Sequence, residues 1–390
     1  MNFKSTRICC YIGYISQAVA INFAPILFVI FHRTLSLSYA QIGVLTLITF
    51  ATQMFLDIFS VFFVDRIGFR RCAIISQVLC AAGLFALPLF AGIFKTPFFG
   101  IAVAVVIYSV GAGIVDVVVS PIMASPPSES GRGSMIFLHS FYCWGQLLTA
   151  LVTTLALHIF GSSSWKIISV CWGIIPFINS FAFSFVPFKN AESDGGGLTL
   201  KILKNRALAM IMVLMVCGGA AELAMSQWAS TFVQEALGVN KTMGDLLGPC
   251  MFALFMALGR TIQGIKGEKL NYRLNMYLSS VLCAVCYITA VFAKNPYAAL
   301  MGCAVCGYSV SIMWPGVLTI MSQRFKSGGG AMFALAAIFG DVGCSLGSFI
   351  TGVVASMPVW GSFGLKAGLL VNIIYPVIFA VTFRRLNKIS

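Results

Sequence analysis

Four carboxylic acids lie where a carboxylic acid is expensive. Of the eleven Asp and Glu residues, Asp57, Asp116, Glu222 and Asp341 fall deep inside apolar runs. The other seven (Asp65, Glu129, Glu192, Asp194, Glu235, Asp245 and Glu268) fall near turns and ends. A charge at the centre of a membrane helix costs about 2.5–3.5 kcal/mol on insertion scales, so such residues face a bundle interior or water. Each deep acid belongs to a polar stripe: Thr49, Gln53, Asp57 and Ser60; Asp116 and Ser120; Glu222, Ser226 and Ser230; Asp341, Ser345 and Ser348. Spacings of three and four put these side chains on one helical face. A carboxyl so placed can take up and release a proton as its surroundings open to one side or the other. Asp116 and Glu222 are the stronger candidates for that role. Asp341 is divided between it and hydrogen bonding between helices, because Gly343 and Gly347 lie close by at a spacing that lets helices approach.

Other reactive residue types are scattered. The three histidines, His32, His139 and His158, form no cluster with carboxylates. Cys283-x-x-Cys286 and Cys303-x-x-Cys306 approach a zinc spacing, but both lie within apolar helices, where cysteine serves as a small packing residue. No metal and no cofactor is expected. Gly259-x4-Gly264-Ile-Lys266 lacks the Lys-Ser/Thr pair of a phosphate-binding loop.

The elements that must position the acids follow from composition. Of 390 residues 59% are apolar and 9% are charged, against about 25% charged in a soluble protein. Soluble enzymes, nucleic-acid binders and disordered chains are excluded on that ground. Apolar runs predict twelve spans, at about 8–31, 39–63, 72–93, 97–123, 134–158, 165–187, 207–235, 243–265, 273–293, 297–322, 329–356 and 361–383. With the N-terminus inside, 19 of the 25 Lys and Arg residues fall on the cytoplasmic side. That bias sets orientation and places both termini in the cytoplasm. The net charge of +14 then reflects topology and anionic lipid rather than nucleic acid. Lys4 and Arg7 precede an apolar run that continues to Phe31, longer than the core of a cleaved signal, which predicts a retained first span.

The chain also repeats itself. Residues 188–206 carry its least hydrophobic stretch, with six spans on each side. The expected organisation is a bundle over 1–187, a cytoplasmic linker over 188–206 and a second bundle over 207–390. Asp65-Arg66 with Arg70 and Arg71 falls on Glu268-Lys269 with Arg273, and Gly113 and Pro121 fall on Gly307 and Pro315. Asp57 falls on Arg260. Repeated halves in a membrane chain place a binding site near the bilayer midplane between them. The repeated acid–base pair predicts a gate: Asp65, Arg66, Arg70, Arg71, Glu268 and Lys269 at the loops, with Asp57 and Arg260 in the spans beside them.

Asp65-Arg66-x-Gly68-x-Arg70-Arg71 resembles the loop 2–3 signature of the major facilitator superfamily, with Val61 where the family usually has Gly. That resemblance implies an all-α integral membrane fold of twelve helices in two pseudo-symmetric bundles, working by alternating access. Gly111-Ala-Gly113-Ile-Val-Asp116 followed by Ser120-Pro121 is similar to the fucose–proton symporter branch, as are Asn22 and Leu37-Ser-x-x-Gln41. Pro25 stands where that branch has an acid, Ser120 where it has Asn, and His139 where it has a sugar-binding Gln. The resemblance implies a solute site at Asn22, Ser120, His139 and Tyr142. Ser226 joins it from the Glu222 stripe, and Trp228 and Trp314 can offer aromatic platforms.

The expectation is a transporter, not an enzyme, in the cell membrane as a multi-pass protein. It moves a small polar solute, a sugar or sugar-like molecule, with a coupling ion, a proton or alternatively sodium. Its partners are the lipid bilayer and that solute, with no nucleic acid, and the monomer is the working unit. The alternative is an efflux antiporter, whose branch usually shows Gly-Pro-Gly-Gly in span five where this chain has Trp144-Gly145-Gln146-Leu147.

Overall fold

The computed structural model describes residues 3–37, 39–124, 132–188, 205–233, 238–239, 241–266, 271–325, 329–355 and 357–388. They form helices joined by short turns, with no strand among them. Among the described residues eleven helices are long and apolar enough to cross a membrane, and a shorter apolar stretch, Val44–Phe59, sits where the second span was expected. Side chains such as Ile159, Phe181 and Phe185 are exposed on them, as lipid-facing residues must be, because lipid tails are as apolar as they are.

The chain divides into two compact units. The first takes the described residues of 1–130 and 141–192, the second those of 131–140 and 193–390. The first two turns of the fifth helix therefore belong with the second unit.

The first unit holds α1 (Lys4–Leu35), α2 (Tyr39–Ile67), α3 (Phe69–Ile93), α4 (Pro97–Ala124), the greater part of α5 (Arg132–Phe160) and α6 (Trp165–Phe185). Gly68 separates α2 from α3 at φ 88°, a left-handed conformation that a Cβ disfavours. The basic loop signature therefore needs glycine at that position. α3 and α4 approach so closely that a Cβ on Gly111 would meet the Ser76 carbonyl and the Cys80 nitrogen. Pro88 inside α3 has no N–H to bond back to Leu84, and the Leu84 carbonyl instead accepts the Ser169 hydroxyl of α6 at 2.7 Å.

The second unit begins with α7 (Arg206–Thr231), capped by the Asn205 side chain. A short α8 (Lys241–Asp245) runs through a π turn over Leu246–Cys250, at Pro249, into α9 (Met251–Lys266). Then come α10 (Tyr272–Phe292), α11 (Pro296–Val310), α12 (Met313–Arg324), α13 (Gly329–Ala355), α14 (Gly364–Val371) and α15 (Ile374–Leu386). Asn271 and Asn295 cap α10 and α11; such a cap contributes about 1 kcal/mol. α13 lies backbone to backbone on α7: a Cβ on Gly343 would strike the Val216 carbonyl, and one on Gly347 the Ala220 carbonyl. The expected close helix approach at these glycines is present.

The tenth span is broken where its counterpart in the first unit is not. α4 passes through Pro121 unbroken, whereas α11 ends at Val310 and α12 starts at Met313. Pro315 cannot donate to the Ser311 carbonyl four residues back, and its ring crowds that carbonyl. Pro315 accounts for the backbone bond missing at Ser311, while Pro121 shows that a proline alone need not break a span.

Candidate functional site

In the first unit, α1 carries a ladder of polar side chains that reach across to α4 and α5. Tyr14 and Ser120 share a hydrogen bond of 2.9 Å. One of the Asn22 amide hydrogens goes to its own helix at the Ala18 carbonyl, 2.9 Å, and Tyr142 accepts from the same nitrogen at 3.3 Å. Gly145 lets α5 come close enough for this, since a Cβ there would press on Ala18 and Ile15. Residues 14 to 22 rise about 12 Å along a helix at 1.5 Å per residue, so these contacts make a polar strip rather than a point. Of the residues singled out from sequence, Asn22 meets Tyr142, and Ser120, four residues after Asp116 on α4, meets Tyr14. Tyr14, eight residues before Asn22 on the same helix, was missed.

Asp57 is 1% exposed on α2, with Thr49 and Gln53 buried on the same face. Leu56, beside it, lies against Gly113 of α4.

The second unit centres on an ion pair. Arg260 Nη2 donates to Glu222 Oε2 at 2.9 Å, joining α9 to α7. Arg260 Nε donates to the Ser311 carbonyl at 3.0 Å, and Nη1 reaches the His139 carbonyl at 3.5 Å. Arg260 is 3% exposed and is the one buried Lys or Arg among the described residues. Expected from sequence beside Asp57 in the spans next to the gate, it is the buried partner of Glu222. His139 is assigned to this unit, and its backbone carbonyl is the one that Arg260 reaches.

The remaining expected platforms are packed. The outer edge of the Trp314 ring lies against Gly340, where a Cβ would collide with it. Trp228 donates from its indole nitrogen to the Ser348 carbonyl at 3.0 Å and to the Ser348 hydroxyl at 3.2 Å. Ser226 and Asp341 are buried, at 9% and 7% exposure. Asp245, set aside from sequence as a residue near a turn, is buried as well, and Ser230 donates to its Oδ1 at 2.5 Å. Its position at the head of the π turn is the signal that was missed.

At the loop signature, Arg66 and Arg71 are exposed and the Asp65 side chain lies outside the described residues. Arg70 closes the end of α6, donating to the Ser184 and Val186 carbonyls at 2.8 and 2.9 Å and stacking over Phe188. Glu268 and Lys269 also lie outside the described residues.

The two Cys-x-x-Cys pairs meet. Cys283 and Cys306 come within 3.9 Å across α10 and α11, all thirteen cysteines are free thiols, and no group of three or more ligands is arranged for a metal among the described residues.

A family model of the Major Facilitator Superfamily matches residues 10–348. The chain belongs to the major facilitator superfamily. Solved structures of similar fold include a variant of the E. coli fucose:proton symporter FucP, with a TM-score of 0.77 at 12% identity over 99% of each chain. The major facilitator transporter FucP in an outward conformation gives 0.75 at 14% identity, again over 99% of each. A D-xylose-proton symporter gives 0.77 at 12% identity over 100% of this chain and 98% of its own. Identities this low speak to the fold. No curated protein matches the chain in sequence. As a member of the superfamily, the chain is a multi-pass membrane transporter, and the buried ion pair and polar strip lie in the halves of a transport fold.

Proposed function

We propose that this transporter moves a small polar solute, a sugar or sugar-like molecule, into the cell together with a proton. One observation carries the reading. Asp116 sits at mid-helix on α4, four residues before the Ser120 that meets Tyr14 at 2.9 Å, in a unit with no buried Lys or Arg among its described residues. With no cation to balance it, a proton is the neutraliser at hand. Around it, Tyr14, Ser120, Asn22 and Tyr142 present hydroxyl and amide groups suited to a polyhydroxylated solute. The similar folds of the fucose and xylose symporters support the same solute class.

Glu222 serves the cycle from the second unit. Paired with Arg260 it is neutral overall; once protonated it leaves a buried cation, which changes what that unit binds and how it packs. The two bundles (1–187 and 207–390) work by alternating access, with Asp65, Arg66, Arg70, Arg71, Glu268 and Lys269 at the inner loops and Asp57 and Arg260 in the spans as the gate.

The test is direct. Purified protein is screened by thermal shift against sugars, sugar alcohols, nucleosides and organic acids, since a ligand that binds the folded state raises Tm. Hits are then followed into proteoliposomes with and without an inwardly directed proton gradient. Stabilisation by organic acids or nucleosides alone overturns the solute class, and uptake indifferent to the gradient overturns proton coupling.

A further inference from the structure

Two buried amides meet beside the first turns of α1, and each leaves one end unused. Asn179 of α6 donates from Nδ2 to the Cys9 carbonyl of α1 and to Gln77 Oε1 of α3, both at 3.1 Å. A carbonyl only accepts, so the Cys9 contact fixes which end of the Asn179 amide is nitrogen. The contact between the amides then fixes which end of Gln77 is oxygen. What remains is a donor, Gln77 Nε2, and an acceptor, Asn179 Oδ1, neither with a partner among the described residues. Gln77 is 0% and Asn179 1% exposed. Buried polar groups are normally paired, and a transmembrane interior offers no bulk water instead.

Beside Gln77 Nε2 there is room. Gly13 of α1 is buried. An added Cβ would lie 3.7 Å from that nitrogen, 3.6 Å from Val119 Cγ2 of α4 and 3.9 Å from Phe183 Cε2 of α6, all ordinary contact distances. Gly111 and Gly145 are different, because a Cβ there would strike the neighbouring helix. Close helix approach therefore explains those glycines and leaves Gly13 unexplained, although glycine inside a helix is destabilising relative to alanine.

We propose that Gly13 makes a binding site for one water molecule, which accepts from Gln77 Nε2 and donates to Asn179 Oδ1. Water fits because it is about the size of a methyl group and can accept and donate at once. An anion would serve Gln77 alone, and no described Lys or Arg is buried in this unit to balance it. The water completes a junction of α1, α3 and α6. Thr6 Oγ1, donating to the Pro187 carbonyl at 2.6 Å, ties α1 to the end of α6 a second time. Tyr14, next to Gly13 in the chain, is bonded to Ser120, so the junction holds the start of the polar strip in place.

Substitutions at Gly13 test the site through the sign of their effect. Gly13→Ala fits without a clash and improves helix propensity, so at a dry site it would raise Tm. At a hydrated site it displaces the water and strands both amide ends, and Tm is expected to fall. Gly13→Ser supplies a hydroxyl in place of the water and should recover most of that loss. Hydroxyl-radical footprinting by X-rays, on wild-type protein in nanodiscs, gives a readout that needs no variant. Phe183 is 0% exposed, so oxidation of its ring reports radicals made from water held inside the protein. Labelling of Phe183 is expected in the wild type and should drop severalfold in Gly13→Ala. A Gly13→Ala protein at least as stable as wild type, equal losses in the Ala and Ser variants, or an unlabelled Phe183 in the wild type overturns the site.

Discussion

Arg260 Nε is bonded to the Ser311 carbonyl at 3.0 Å, an acceptor that is vacant because Pro315 has no N–H to bond back four residues. A break in one helix thus creates the seat for a charge on another, and that charge holds Glu222 at 2.9 Å. Pro88 works likewise in the first unit, releasing the Leu84 carbonyl for Ser169. Inside a membrane, where each freed backbone group must find a protein partner, proline supplies acceptors for tertiary contacts.

Pro315→Ala tests this chain of cause. The new N–H would claim Ser311 and mend the helix, worth about 3 kcal/mol, while Arg260 loses a charged hydrogen bond of about 1.5–3 kcal/mol. Overall stability should therefore change little, but amide hydrogen exchange between residues 311 and 318 should slow markedly. Unchanged exchange there would show that Pro315 does not cause the break.

The Arg260–Glu222 pair predicts strong non-additivity. Arg260→Met leaves a buried carboxylate without its cation and should cost about 3–5 kcal/mol, whereas replacing both partners by neutral residues of similar volume is often far milder. In thermal melts Arg260→Met should lower Tm more than Arg260→Met with Glu222→Gln. Additive losses would mean that the two side chains do not depend on one another.

Much of the architecture was legible in the chain, for a physical reason. Apolar run length and the bias of Lys and Arg are one-dimensional properties that a bilayer reads directly, so the number of spans follows from them. The acids were legible too, because their cost in lipid is independent of the fold. Partners were not. Arg260 lies six residues from Lys266, within a basic end, and nothing local distinguishes a cation that snorkels from one that turns inward to Glu222. His139 was singled out by motif, but nothing in the chain shows that its backbone carbonyl is met by Arg260. Asp245 was discounted for its closeness to a turn, which says nothing of whether a neighbouring helix covers it.

Close packing of α7 on α13 yields a further expectation. Gly343→Ala would drive a methyl into the Val216 carbonyl, and overpacking of this kind costs about 1–3 kcal/mol. Gly92, in α3, has nothing within 4 Å of an added Cβ, so Gly92→Ala should be neutral or stabilising by up to about 1 kcal/mol. Equal Tm values for the two variants would contradict the close approach.

Orientation is a separate matter from fold. With the charge bias as it stands, a reporter fused after Ser390 and one placed within 188–206 should both read cytoplasmic. A linker reporter that reads external would reverse the sidedness on which import and the inner gate depend.

The most direct measurement compares reconstituted wild type with Asp116→Asn and Glu222→Gln, using whichever solute stabilises the protein, with and without a proton gradient. Both substitutions keep shape and hydrogen bonding but cannot ionise. Protonation on the outside must favour solute binding, and solute binding must favour protonation by the same free energy, so a coupling acid that cannot titrate cannot concentrate solute. The account predicts that gradient-driven accumulation disappears in Asp116→Asn while exchange of labelled for unlabelled solute, which needs no net proton movement, survives. If both variants still accumulate solute on an imposed proton gradient, neither acid couples transport to the proton.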